Sequence, residues 1–161
     1  MKKGGLISLL SAVVLSGTGL VSPAHAAGPS LVVHDAYVRL VPPGAMTSAA
    51  FMVLDNTSTA DRQLLRAESA MAGTVELHTH INDNGVMKMR AVSAIPVPAK
   101  GQAQLKPSGN HIMLIDLKAA LQEGQDVPIT LYFDDGSHLT VTALIKKPSA
   151  SSPTPNGAMK H

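Results

Sequence analysis

An all-β fold, built as an antiparallel sandwich or barrel, is what this sequence predicts, and three observations carry the prediction. Apolar and polar residues alternate in short runs, Gly, Pro, Asn and Asp separate those runs, and no long stretch repeats with helical period. Many short strands at such spacing belong to sandwiches and barrels.

The strands follow in order. Segments near 31–40 and 48–55 alternate first. Within 73–80, Val75, Leu77 and Thr79 share one face and Glu76, His78 and His80 share the other. The first face reads as core, so both histidines point away from it. Asn84-Gly85 is the strongest two-residue hairpin signal in the chain and returns it through 86–92. Such a turn sets Met87 opposite Asn82, Met89 opposite His80 and residue 91 opposite His78, with Met89 diagonal to His78. A three-residue loop over Asp83 to Gly85 would instead put Met89 on the face away from both histidines. Segments 102–106 and 110–117 come next, and Ser108-Gly109 lets the chain bend just before His111. In the last pair, 127–134 and 137–145, Ile129, Leu131 and Phe133 line one face and Asp134-Asp135-Gly136 turns the chain. Leu139, Val141 and Ala143 return, while Thr140 and Thr142 point the other way. One helical turn around Leu117–Gln122 is the only departure from strands.

Both ends lie outside this pattern. Lys2 and Lys3, an apolar run from Leu6 to about Leu20, and Ala24-His25-Ala26 form a signal peptide over residues 1–26, cleaved near Ala26. The run is too short and too rich in Gly and Ser for a comfortable membrane span. Its removal takes away two lysines and no acids, so the formal charge of +2 falls to 0. No basic run remains, and Tyr37, Phe51, Tyr132 and Phe133 are the only aromatic side chains, so nucleic acid is excluded as a partner. The rest fits a single domain over 27–147. Residues 148–161 are rich in Pro, Ser, Thr and Asn, carry too few apolar groups to offset ordering entropy, and read as a flexible C-terminal tail.

The chemistry lies in four side chains spaced His78-x10-Met89-x21-His111-x-Met113, in a chain with no cysteine. Thioether sulfur is a soft, neutral donor suited to Cu(I) and a poor ligand for zinc, magnesium or calcium. Imidazole suits copper, zinc and nickel alike, so the methionines carry the selectivity. The lack of cysteine excludes disulfides, Cys-zinc sites, thiol nucleophiles and blue-copper centres. Any one of these residues alone reads more simply as a surface histidine or a packing methionine; Met113 does so most, amid Ile112, Leu114, Ile115 and Leu117. Geometry does not separate His78 from His80, and direct opposition to Met89 favours His80. His80 and Met87 are expected beside the metal, Met46, Met52 and Met71 in packing, and His34 and His138 at the surface.

The stretches Val75-Glu76-Leu77-His78, Asp83 to Arg90, Leu105-Lys106-Pro107 and Asn110 to Leu114 closely resemble the periplasmic copper chaperones of the PCu(A)C family, whose signature has these same four residues at these same intervals. Thr47 to Met52, through Asn56, resembles that family's early strand and turn. The resemblance spans roughly residues 30–146. It implies a cupredoxin-like, Greek-key β-sandwich that binds Cu(I) through His78, Met89, His111 and Met113. It also implies a role in supplying copper to cytochrome c oxidase subunit II, often alongside a Sco-type thioredoxin-fold protein. Some family members extend their C-terminus with His and Met that add a second copper site. Met159 and His161 are a thin version of that donor set, and binding of Cu(II) is left open.

These expectations describe a carrier rather than a catalyst. Four neutral donors hold a monovalent ion without a thiolate, so the ion can pass to a partner that offers cysteines. They also leave no open position for oxygen chemistry. Both imidazoles must be neutral to bind, so Cu(I) affinity is expected to fall below about pH 6.5. Besides the bland alternative of a metal-free adhesion or scaffold domain, two readings compete. A copper oxygenase would need an amino-terminal histidine, which only cleavage after Ala24 would supply, at His25. A buffering or resistance protein would use the same four residues without a dedicated recipient.

Overall fold

The computed structural model describes residues 30–148. The signal peptide expected over 1–26, its expected cleavage near Ala26, and Met159 and His161 in the expected tail lie outside the described residues. Alternation resolves into ten strands: β1 (Leu31–Arg39), β2 (Thr47–Asn56), β3 (Arg62–Glu68), β4 (Ala72–Asp83), β5 (Val86–Ala91), β6 (Ile95–Val97), β7 (Gly101–Leu105), β8 (His111–Leu117), β9 (Asp126–Phe133) and β10 (His138–Lys146). All eight expected segments are strands; β3 and β6 are additional. In β3 a register shift between Leu64 and Arg66 breaks the alternation. The three residues of β6 carry Pro96, which a strand tolerates at the margin of a sheet, and β6 ends the strand order. Among the described residues there is no helix. In place of the turn expected over Leu117–Gln122, Leu117 ends β8 and residues 118–122 are irregular chain that buries Leu121 in the core.

Hydrogen bonding runs β5-β4-β8-β2-β1-β10-β9-β3-β6, with β7 on the far part of β2. Every pairing is antiparallel except β1 with β10. The sheet folds over itself as a sandwich: β3 packs against β4, and β6 against β7 and β2, with no ladder between them. Leu77, Ile112, Leu114, Ala50 and Met52 from one layer meet Leu64, Val127, Ile129, Leu131 and Ile145 in one buried cluster. Each large apolar side chain buried there contributes about 1.5–3 kcal/mol. The β9–β10 hairpin has the expected register, with Leu131 opposite Leu139 and Ile129 opposite Val141. Among the described residues no helix is long and apolar enough to cross a membrane.

Two local features aim the chain at the site. The β4–β5 turn has two residues, Asn84 at φ 53° and Gly85 at φ 85°, which is the left-handed pair a tight hairpin needs. Met89 therefore faces His80, Met87 faces Asn82 and Ala91 faces His78. Nothing crowds a Cβ at Gly85, but its φ penalises any side chain. Gly85→Ala is therefore expected to lower stability by about 1 kcal/mol, measured by urea unfolding. Second, β4 pairs with β8 only as far as His78 opposite His111, and beyond it β4 pairs with β5 alone. A two-stranded ribbon thus extends past the sandwich, with His78 and His111 at its root.

Candidate metal centre

Strand parity decides which side chains meet. In β8, Ile112 and Leu114 are fully buried in the core, so His111 and Met113 face outward on the other side of the sheet. Met113 lies opposite Glu76 on β4 and Ala49 on β2, and His111 opposite His78. In β4, Leu77 is buried, which puts Glu76, His78 and His80 on the same outward face as His111 and Met113. An open cavity of about 420 Å³ sits there, and His80, Met89, His111 and Met113 line it with Phe51 and Arg39.

Three of the four predicted ligands therefore share one cavity. The fourth, His78, stands at its margin: its ring centroid is 5.9 Å from that of His111, and its Nε2 is 2.8 Å from Glu76 Oε2. A carboxylate only accepts, so Nε2 carries the proton and Nδ1 keeps a lone pair. That Nδ1 is buried without a partner, an orphan acceptor of the kind a metal ion would satisfy. His80 is nearer to His111, with centroids 5.1 Å apart.

The turn before β8 supplies a part that no side-chain motif announces. Ser108 adopts φ 64°, Gly109 N–H bonds Lys106 O at 3.0 Å, and the Gly109 carbonyl turns toward the histidines. His111 Nδ1 donates to it at 2.9 Å, and His80 Nδ1 lies 3.4 Å from it. Because Nδ1 of His111 carries the proton, its Nε2 lone pair is free. His111 is 3 % exposed. Burial pushes its pKa below the usual 6.5; the Gly109 bond opposes this, and His80, His78 and Arg39 add to the lowering.

A pH dependence of folding follows. Below about pH 6.5 the unfolded chain takes up a proton at residue 111 before the folded chain does, so stability falls as pH drops through that window and is level above it. Urea midpoints across the window are expected to show that slope, and His111→Gln to remove the part due to this residue. An unchanged slope in the variant would place the pH dependence elsewhere.

Other expectations divide. Met52 is 2 % exposed and Met71 packs on the core, but Met46, expected in packing, is 57 % exposed. It occupies the loop before β2, where its backbone carbonyl, not its side chain, bonds Leu117 N–H. His34 and His138 are exposed as expected, His34 with its Nε2 3.0 Å from Asp55. Met87, expected to line the site, is 54 % exposed on β5 and outside the cavity. Among the described residues no three His, Asp or Glu side chains gather as a hard-donor metal site requires. The sulfur of Met89 and Met113 is what distinguishes this cavity.

Residues 31–145 match the family described as "Putative lipoprotein LpqE-like". The chain belongs to that family. The LpqE-like family is the PCu(A)C family, so the resemblance read from the four-residue spacing holds. A relative described as "Putative lipoprotein Lxx21020", from Leifsonia xyli subsp. xyli, is 35 % identical over 138 residues, which cover 82 % of either chain. The solution structure of Cu(I)-DR1885 from Deinococcus radiodurans is 36 % identical, with a TM-score of 0.62 over 78 % of this chain and 83 % of that one. The copper-bound PCuAC domain from PmoF2, at 20 % identity and TM-score 0.63, covers 74 % of this chain and 94 % of its own, and shares the fold. The cupredoxin-like sandwich expected of an LpqE-like chain is the fold observed.

Proposed function

We propose that this chain is an exported Cu(I) carrier of the periplasm that holds its ion through His78, Met89, His111 and Met113 and delivers it to cytochrome c oxidase subunit II, alone or with a Sco-type thioredoxin-fold partner. The observation that carries the reading is the outward cavity where two thioethers stand beside a histidine with a free Nε2, next to the orphan Nδ1 of His78. The donor chemistry fits monovalent copper. The relative solved as Cu(I)-DR1885 supports the cargo, and the naming of the family and of Lxx21020 as lipoproteins supports export of the domain over 27–147. Copper is cargo here. In this reading the residues bind it and release it, and no further substrate is acted on.

The position of the donors suggests how release proceeds. Met89 is 54 % exposed on the marginal strand β5, whereas His111 is buried. A thiolate from a recipient can displace the outer thioether first and the buried imidazole last. All donors are neutral, so each replacement by thiolate gains charge attraction to the ion.

The test is transfer. Full-length protein loaded anaerobically with Cu(I) is mixed with the apo soluble domain of subunit II, and copper is followed by separation and metal analysis. Movement of copper to the subunit, together with loss of oxidase activity in a deletion strain, is the expected result. Retention of copper, with copper sensitivity as the only deletion phenotype, would mark a buffering protein instead.

A further inference from the structure

We infer that His80 is a third imidazole ligand that lets this same cavity take Cu(II), through His78, His80 and His111 and without the methionines. The inference rests on the carrier reading above and adds a second oxidation state with its own donor set.

His80 is set up as His111 is. Both Nδ1 atoms approach the Gly109 carbonyl, at 3.4 and 2.9 Å, and a carbonyl oxygen has two lone pairs to accept them. Each ring then keeps its proton on Nδ1 and presents a bare Nε2, and no described residue bonds either Nε2. With metal–nitrogen bonds of about 2.0–2.1 Å, two imidazoles on one ion keep their ring centroids roughly 4.5–6 Å apart. The separations of 5.1 Å for His80–His111 and 5.9 Å for His78–His111 both lie in that range. The three rings do not yet close on one point. His78 is the one whose ring must shift: its Nδ1 has no bond to lose, and its Nε2 bond to Glu76 is the contact that the shift would strain.

The donor types separate the two oxidation states. Cu(II) prefers nitrogen and oxygen in tetragonal arrangement and heads the divalent series on such ligands, whereas thioether favours Cu(I). A divalent ion also needs compensating charge. The Glu76 carboxylate beside His78 provides a negative group on the same face, opposing the positive Arg39 at the other side of the cavity. His80 itself sits on the ribbon of β4 and β5 with Met89 as its cross-strand neighbour on the same face, so nitrogen and sulfur donors stand side by side there.

Full-length parent, His80→Ala, His80→Gln and the Met89→Ala/Met113→Ala double variant are compared with one equivalent of Cu(II) by electron paramagnetic resonance and competition. The same proteins are compared with Cu(I) against a colorimetric chelator. Circular dichroism checks that all are folded. Both His80 variants are expected to lose at least about tenfold in Cu(II) affinity, with one fewer coupled nitrogen, and to lose distinctly less toward Cu(I). The double methionine variant is expected to lose Cu(I) and keep Cu(II). Unchanged Cu(II) affinity and nitrogen coupling in the His80 variants would overturn the inference, as would an equal loss of both oxidation states. Retention of Cu(I) by the double methionine variant would instead overturn the carrier reading, since that arm does not involve His80.

Discussion

Met89→Ala combined with Met113→Ala is expected to lower Cu(I) affinity by at least about 100-fold, beyond the roughly 10- to 100-fold typical of losing a residue that only supports a ligand. The argument is one of donor type. Without the two thioethers the cavity retains imidazole, which suits divalent copper, zinc and nickel, and nothing that favours the monovalent ion. Both substitutions remove exposed or half-exposed side chains on the outer face of the sheet, so the fold should bear them. Anaerobic competition against a colorimetric Cu(I) chelator measures the effect. An affinity within about threefold of the parent would mean that sulfur does not hold the ion.

The second large effect concerns the residue between two of the donors. Ile112 is fully buried and pairs across the sheet with Leu77 and Ala50, so Ile112→Ala leaves a cavity in the core under the site. Truncation of a buried isoleucine costs about 2–5 kcal/mol, which lowers the melting temperature by roughly 10 °C or more in a domain of this size. Met113→Ala, one position along on the opposite face, should cost well under half as much. Thermal unfolding of the two single variants compares them directly. Equal losses would show that Met113 is a packing residue, and the outward face of β8 would be misassigned.

Much of this arrangement is legible in the chain because sheet parity is a local property. Asn84-Gly85 favours a tight two-residue turn over the three-residue loop that would also fit the sequence, and that turn sets Met89 opposite His80 without reference to the rest of the fold. Ile129, Leu131 and Phe133 fix the last hairpin in the same way. What escapes is whatever depends on irregular backbone. A register shift hides β3, and Pro96 with only three residues hides β6. The Gly109 carbonyl that orients two histidines belongs to the main chain, and no residue type signals it. Glu76 was within reach, since it stands two residues before His78 on the same face. The choice between His78 and His80 is harder. Family spacing favours His78, the cavity holds His80, and the two stand on one strand face with His111 between their claims.

The strand that bears Met87 and Met89 is also the free margin of the sheet, with all six of its residues exposed. A bare strand margin invites another chain to add itself, and soft apolar side chains increase the hazard. Lys88 and Arg90 alternate with the two methionines, and Lys88 is anchored 2.6 Å from Asp83 on the neighbouring strand. Two like copies that tried to zip together along β5 would bring these cations into mutual repulsion. Gatekeeping against fibrils and open solvent access to sulfur are thereby reconciled within a single turn-to-turn segment.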